Sequence, residues 1–155
     1  MNLRVSLVKL LSTFFYVGYL PFMPGTFGSL AGLLVFFLVK NNSLVYIIST
    51  VILLALGLWV CREAEDVFQK KDPKYVVIDE VVGMLITLFF VPFDYRLILI
   101  GFFLFRLFDT LKPFPVSVFQ NTKGSIGIMG DDLVAGLYAN LVLQLVIRFS
   151  VLRIS

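Results

Sequence analysis

The sequence predicts an all-α integral membrane protein, a helical bundle of about five membrane helices plus an N-terminal interfacial helix. Of its 155 residues, 59% are hydrophobic and only 15% are charged, and the mean hydropathy is +0.98. These values lie far outside the range of ordinary water-soluble domains. Five separate apolar stretches must be helical, because backbone groups in lipid have to be paired within each segment and five segments cannot close a barrel. The length allows one domain, so residues 1–155 are predicted to form a single membrane-embedded unit.

The N-terminal segment only loosely resembles a cleavable signal. Arg4 and Lys9 precede an apolar run, but no convincing small-residue cleavage site follows, and Pro21 and Pro24 interrupt the chain. We therefore expect an uncleaved amphipathic helix that lies in the membrane interface, with its basic residues among the lipid headgroups.

The apolar stretches account for the membrane helices. They occupy residues 26–39, 44–61, 76–93, 97–111 and 133–149. A full span needs about 20 apolar residues, and only the second stretch approaches that length without polar residues at its ends. The others are expected to be short or tilted helices packed as a bundle. The short links 40–43 and 94–96 predict that the helices they join are antiparallel neighbours.

The basic residues orient the bundle. If the chain crosses five times from the N-terminus, one side receives nine basic residues and the other receives four. The nine are Arg4, Lys9, Arg62, Lys70, Lys71, Lys74, Arg106, Lys112 and Lys123. The positive-inside rule places this side in the cytoplasm. The same side carries every acidic residue except Asp94.

Composition also excludes several functions. The net charge of +3 and the scattered basic residues do not fit nucleic-acid binding. The chain has no histidine, which excludes His-based catalysis and His-ligated zinc. Its one cysteine, Cys61, lies in an apolar run and is interpreted as a small buried residue. The sequence indicates no particular oligomeric state.

Acidic residues stand at the ends of the apolar stretches, where carboxylates are costly and seldom kept without a role. Asp79 and Glu80 open the third stretch, and two adjacent acids exceed what the helix dipole requires. Asp131 and Asp132 precede the fifth, where a helix N-cap would explain one aspartate but not both. Asp109 closes the fourth stretch.

Two further features adjoin these acids. Arg106 shares a helix face with Asp109, so the pair forms either a simple salt bridge or a site in which Arg106 or Lys112 holds an anionic group. Gly25 and Thr26 open the first stretch, and small residues there would expose backbone N–H groups to a phosphate. The alternative is a turn followed by a small-residue packing face.

A polar stripe also enters the bundle. Its residues follow one another at steps of four and are Asp132, Gly136, Asn140 and Gln144. A spacing of four places side chains on one face of a helix. We expect this face to look into the protein, since polar side chains in a membrane helix are disfavoured against lipid.

The acids therefore predict a metal site at the cytoplasmic headgroup level. Oxygen ligands alone suit a hard cation, and Mg²⁺ is the ion expected. The predicted ligands are Asp79, Glu80, Asp109, Asp131 and Asp132. Mg²⁺ most often serves chemistry at phosphorus. The alternative is a small cation transporter with a carboxylate-lined path, which predicts acids at mid-membrane or on both sides. A purely structural subunit would leave the acid pairs unexplained.

Four motifs in order and spacing resemble the phosphatidylglycerophosphatase A family. They are PGTFGSL at 24–30, DEVVGM at 79–84, FRLFDTLKP at 105–113 and the glycine–aspartate segment 127–136. The match covers roughly residues 15 to 145, and the chain departs at Ser125, where a second glycine is expected. The resemblance implies a multi-pass, Mg²⁺-dependent phosphatase of the bacterial inner membrane with its site facing the cytoplasm. It also implies hydrolysis of phosphatidylglycerophosphate to phosphatidylglycerol and inorganic phosphate in phospholipid biosynthesis.

With this resemblance, the five acids are expected to be both catalytic and metal-binding, with one of them the base for an attacking water. Arg106 is expected to stabilise the phosphoryl oxygens. Lys112, Lys123 and the backbone of Gly25 and Thr26 are expected to orient the two phosphates of the substrate. Any of the five acids fits the role of base.

Overall fold

The computed structural model describes residues 3–71, 73–114 and 124–152, the last three without their side chains. These parts of the chain contain six α-helices, one short 3-10 turn at Val17–Tyr19 and no strand. The helices are α1 (Leu3–Ser12), α2 (Pro24–Val39), α3 (Ser43–Phe68), α4 (Ile78–Thr87), α5 (Tyr95–Leu111) and α6 (Ser125–Leu152). The all-α prediction is confirmed.

Two helices are long and apolar enough to cross a membrane. They are α3 and the Ser125–Phe149 part of α6. The apolar helix α2 has 16 residues and α5 has 17, so each is about 25 Å long at 1.5 Å per residue. Length and composition therefore support two spanning helices, where the sequence predicts about five.

The helix α4 departs most from the prediction. The apolar stretch 76–93 was expected to be one membrane helix, but the helix ends at Thr87 after 10 residues. It is therefore about 15 Å long, half of a hydrocarbon core of about 30 Å. Leu88 is buried, and Phe90 has a left-handed backbone with φ of 56°. Residues 88–93 are apolar, yet they do not extend the helix; Leu88 is buried in the protein, whereas Phe90 and Phe93 are exposed on its surface.

The helix α4 lies at the centre of the bundle, packed between α2 and α6. Glycines allow this close packing of helix backbones. A Cβ added to Gly32 of α2 would lie 2.9 Å from the Val81 carbonyl oxygen. A Cβ added to Gly136 of α6 would lie 2.6 Å from the Gly83 carbonyl oxygen. The position of α4 is thus fixed by backbone contact on two sides.

The polar stripe of α6 meets the end of α4. The Asn140 amide donates to the carbonyls of Thr87, at 2.9 Å, and Phe89, at 2.7 Å. The Gln144 amide donates to the carbonyls of Phe89, at 3.2 Å, and Phe90, at 3.3 Å. The inward direction expected for the stripe is therefore observed. Asn140 and Gln144 donate hydrogen bonds to backbone carbonyls at the end of α4 and just after it. Such carbonyls need outside donors, because they have no partner within the helix.

The N-terminal helix α1 packs against α3, and its predicted helical form is observed. Arg4 Nη2 lies 2.7 Å from Glu63 Oε2, so its charge is paired within the protein. The backbone N–H of Val77 donates to the Ser12 carbonyl at 3.0 Å. This bond ties the end of α1 to the residue that precedes α4. The interfacial position of α1 stays a prediction.

Candidate active site

Four helix ends meet around one cavity of about 270 Å³. The start of α2, the start of α4, the end of α5 and the first turns of α6 each contribute to its wall. The residues with polar side chains in the wall are Lys74, Asp79, Glu80, Arg106, Asp109, Lys112, Asp131 and Asp132. All five acids singled out in the sequence therefore lie around one space, although they come from three separate helices.

The centre of the cavity is a trio of buried acids, Asp79, Glu80 and Asp132. One carboxylate oxygen from each lies within 4.8 Å of the others. Asp79 is only 7% exposed and Asp132 only 3%. Within the described residues, Glu80 Oε2 is buried and has no hydrogen-bond partner. Because an uncompensated buried charge is costly, these oxygens fit a divalent cation held among them.

The other two acids are paired with basic side chains. Arg106 Nη1 lies 2.7 Å from Asp109 Oδ2, and Lys112 Nζ forms an ion pair with Asp131 Oδ2. The side chain of Asp109 also interacts with that of Asp132, which joins the pairs to the trio. The salt bridge, one of the two interpretations left open for Arg106 and Asp109, is observed. The other interpretation, that Arg106 or Lys112 holds an anionic group, stays a prediction.

Lys112 directly follows α5 as its C-cap and has a left-handed backbone, with φ of 45°. Burial alone would lower the pKa of its ammonium group. The hydrogen bond to Asp131 and the nearby charges of Asp132 and Asp109 outweigh burial and raise the pKa of Lys112 above its ordinary value. Lys112 therefore stays positively charged beside the acids of the cavity.

Gly25 brings the start of α2 directly against the site. A Cβ at this position would lie 2.5 Å from Glu80 Oε1 and 3.1 Å from Arg106 Nη1. Ser29, one turn later, donates to the Gly25 carbonyl at 2.9 Å and accepts a 3.5 Å hydrogen bond from Arg106. Sequence reasoning missed Ser29 as a support of Arg106, and its spacing of four from Gly25 was the available signal.

Three other positions differ from expectation. Thr26 is not part of the cavity wall, and its backbone N–H donates to the Met23 carbonyl at 3.0 Å. Lys123 lies outside the described residues. Lys74 does line the cavity, whereas the sequence argument used it only to orient the chain. Its signal was its place five residues before Asp79.

The first turns of α6 also correct an interpretation. The helix begins at Ser125, so Asp131 and Asp132 lie inside it and neither is an N-cap. Asp79 and Glu80, by contrast, do lie in the first turn of α4. The helix dipole therefore favours the two acids of α4, but capping does not explain the two acids of α6.

The described residues are all helical or irregular, include two helices apolar enough to cross a membrane, and hold a buried cluster of acids that could bind a metal ion, which are the features of a helical membrane protein. Residues 10–147 match the sequence family described as Phosphatidylglycerophosphatase A. The chain belongs to this family, as its motifs predicted, and is thus a phosphatase.

Individual relatives agree with the family match. The protein named Phosphatidylglycerophosphatase A from Haemophilus influenzae is 37% identical over 139 residues, covering 87% of this chain and 85% of the relative. Its namesake from Escherichia coli is 35% identical over 130 residues, covering 82% and 76%. A Bacteroides thetaiotaomicron protein named Putative phosphatidylinositol-3-phosphatase is 36% identical over 139 residues, covering 84% and 87%. No solved structure matches the chain significantly.

Proposed function

We propose that this protein is a Mg²⁺-dependent phosphatase that converts phosphatidylglycerophosphate to phosphatidylglycerol and inorganic phosphate. The observation that carries the proposal is the buried trio of Asp79, Glu80 and Asp132 beside two cationic side chains, in a chain of this family. Two relatives carry the name of this activity, and the third is named for a different phospholipid phosphatase. The names of the relatives thus leave two candidate substrates, which have to be distinguished by experiment.

The trio is the proposed place of the cation. Its oxygen donors suit Mg²⁺, and the buried Oε2 of Glu80 has no hydrogen-bond partner in the part of the chain that the structure describes. A bound Mg²⁺ would neutralise charge on phosphoryl oxygens and favour ionisation of a water. Asp109 and Asp131 complete the acidic wall, and one of the five carboxylates accepts the proton of the attacking water.

Arg106 and Lys112 are the proposed phosphate-binding groups. In the resting cavity their partners are Asp109 and Asp131. A phosphomonoester carries a charge of about −1.5 to −2 and three acceptor oxygens, more than a single carboxylate, and in this proposal it takes the place of these acids against the two cations. Because Gly25 has no side chain, Arg106 and Glu80 can both lie against the N-terminal end of α2. Lys74, at the rim, adds positive charge for the headgroup.

We further propose that residues 1–155 form a single phosphatase domain that crosses the bacterial inner membrane five times. The third crossing consists of α4 and the non-helical residues 88–94. This reading is supported by the residues that follow α4, which share a pocket with Lys40 and Ser43 at the far ends of α2 and α3. The majority of the basic residues would then lie on the side of the cavity, which supports a site that faces the cytoplasm.

The transporter alternative is not favoured. It requires carboxylates along a path through the membrane, whereas the acids of the described cavity lie together at one end of the bundle. At the other end, the described pocket is lined mainly by aromatic and aliphatic side chains such as Phe36 and Phe89.

Phosphate release by the purified protein in detergent tests the proposal. The substrates are phosphatidylglycerophosphate, phosphatidic acid and phosphatidylinositol 3-phosphate, each with Mg²⁺ and with EDTA. We expect release from phosphatidylglycerophosphate that stops when EDTA is added. Release from another lipid alone would contradict the proposed substrate, and turnover in EDTA would contradict the metal requirement.

The matched variants are Asp132→Asn and Asp94→Asn. Asp132 belongs to the trio, so its amide variant should remain folded and lose activity. Asp94 is the N-cap of α5, and its side chain accepts from the backbone N–H of Arg96. Asparagine is an equally good N-cap, so Asp94→Asn should retain activity.

A further inference from the structure

The third crossing is interrupted inside the bundle. The helix α4 ends at Thr87, and the backbone that follows is not helical although Leu88 is buried. Backbone carbonyls at membrane depth need partners supplied by the protein, because lipid offers none. The identity of those partners determines what holds α4 in place.

Side chains from two neighbouring helices supply the partners. The Asn140 and Gln144 amides of α6 donate to the carbonyls of residues 87, 89 and 90. The Tyr46 hydroxyl of α3 donates to the Leu85 carbonyl. Side chains of α3 and α6 thus hydrogen-bond to the carbonyls at and after the C-terminal end of α4. These polar groups would be costly to bury without a partner.

The helices α4 and α6 carry the acid trio nearer to their N-terminal ends. Asp132 precedes Asn140 by eight residues on α6, and Asp79 precedes Thr87 by eight residues on α4, about 12 Å of helix in each case. Between these levels, Gly83 and Gly136 are in backbone contact. If α4 slid along α6, the hydrogen bonds from the Asn140 and Gln144 side chains would break. The same movement would change the distance between the acids of α4 and Asp132.

We propose that Asn140, supported by Gln144 and Tyr46, is a positioning residue that fixes α4 against α6 and so sets the spacing of the acid trio for its cation. Asn140 does not line the described cavity, and it acts through the carbonyl end of α4. The inference rests on the proposed function only in that the trio binds a divalent cation.

Mn²⁺ binding to the purified full-length protein in detergent, followed by electron paramagnetic resonance, tests this role without relying on turnover. Asn140→Leu removes the amide and should bind Mn²⁺ roughly tenfold more weakly, the scale of loss when a support of metal ligands is removed. Asn140→Gln keeps an amide donor and should recover most of the affinity. In phosphate release, Asn140→Leu should need more Mg²⁺ but approach the wild-type kcat at saturation.

Thr50→Val is the matched control. The Thr50 hydroxyl donates to the Tyr46 carbonyl at 2.9 Å within α3, so its loss removes a hydrogen bond from a membrane helix without touching α4. We expect wild-type Mn²⁺ affinity. A merely structural role of Asn140 would lower the yield of folded protein and leave the Mn²⁺ affinity of the folded fraction unchanged.

Each outcome decides the proposal. Folded Asn140→Leu with wild-type Mn²⁺ affinity would overturn it. If Asn140→Leu does not fold, Gln144→Leu and Tyr46→Phe take its place, and unchanged Mn²⁺ affinity in both would overturn it equally. Asp132→Asn distinguishes an error in the proposed cation site from an error in the positioning role of Asn140. If that variant also binds Mn²⁺ normally, the cation site itself is wrong, and the positioning role falls with it.

Discussion

Gly25→Ala should reduce catalysis while leaving the fold intact or slightly more stable. A Cβ at Gly25 would lie 2.5 Å from Glu80 Oε1, and ordinary contact begins near 3.4 Å, so the carboxylate has to move by about 0.9 Å. The same Cβ lies 3.1 Å and 3.2 Å from the two terminal nitrogens of Arg106. Displacement of a catalytic group by about 1 Å can cost on the order of 100-fold in rate, which is the loss of kcat/KM that we expect.

Stability should change in the opposite direction. Gly25 lies in the first turn of α2, where alanine restricts the unfolded chain, and such a replacement in a helix adds about 0.5–1 kcal/mol. The moving atoms are the ends of flexible side chains, so little of this gain is lost to strain. Thermal unfolding in detergent and phosphate release, measured on the same preparation, separate the two effects.

Gly32→Ala is the matched control, because it makes the same change in the same helix. Its Cβ would lie 2.9 Å from the Val81 carbonyl oxygen, which belongs to the backbone of α4 and cannot move alone. Overpacking of this kind costs about 1–3 kcal/mol, so Gly32→Ala should be the less stable of the two. Wild-type kcat/KM in Gly25→Ala, or a loss of stability equal to that of Gly32→Ala, would refute the reasoning.

Three other predictions concern the charged groups of the cavity. Mg²⁺ should raise the unfolding temperature of the wild type but not of Asp79→Asn, since a ligand at 100 times its Kd stabilises by about 2.7 kcal/mol; an equal shift in both proteins would contradict the trio. Arg106→Lys should raise KM more than it lowers kcat, because lysine cannot reproduce the planar fork of arginine around a phosphate; an unchanged KM would contradict this contact. Lys112→Met and Asp131→Asn should show a coupling of about 0.5–3 kcal/mol in a double-mutant cycle of unfolding, and additive effects would contradict the ion pair.

The convergence of the acids was predictable from the sequence. Asp79, Asp109 and Asp131 stand where apolar stretches begin or end, and alternate crossings place those ends on one side of the bundle. Short links and the basic residues fixed the alternation. The division into a trio and two ion pairs was not predictable, because it depends on which side chains reach one another across helices.

The end of α4 at Thr87 could not be predicted from hydropathy, and the reason is physical. Hydropathy measures how apolar a segment is and does not report whether its backbone is helical. Residues 88–93 therefore looked like the second half of a membrane helix. Two signals were present in the sequence, namely Pro92 near the end of the stretch and the amide pair Asn140 and Gln144, which had to find acceptors somewhere in the bundle.

The small-residue motif at the start of α2 shows the same limit. Its composition suits both a phosphate cradle and a packing face, and in the structure the surroundings of its glycines differ from one position to the next. Gly25 lies against the acids, while Gly28 and Gly32 face α4. Spacing alone does not reveal which turn of a helix meets a cavity, because that depends on the tilt of its neighbours.

In the proposed mechanism, the ion pairs of Arg106 and Lys112 also affect how the reaction ends. Phosphate that is still attached to a lipid is held near the cavity by its acyl chains, and this local concentration helps it to displace Asp109 and Asp131. Once hydrolysis detaches it, the phosphate competes with the two carboxylates as a dilute ion. The built-in acids therefore favour departure of the product, and free phosphate should inhibit the enzyme only weakly.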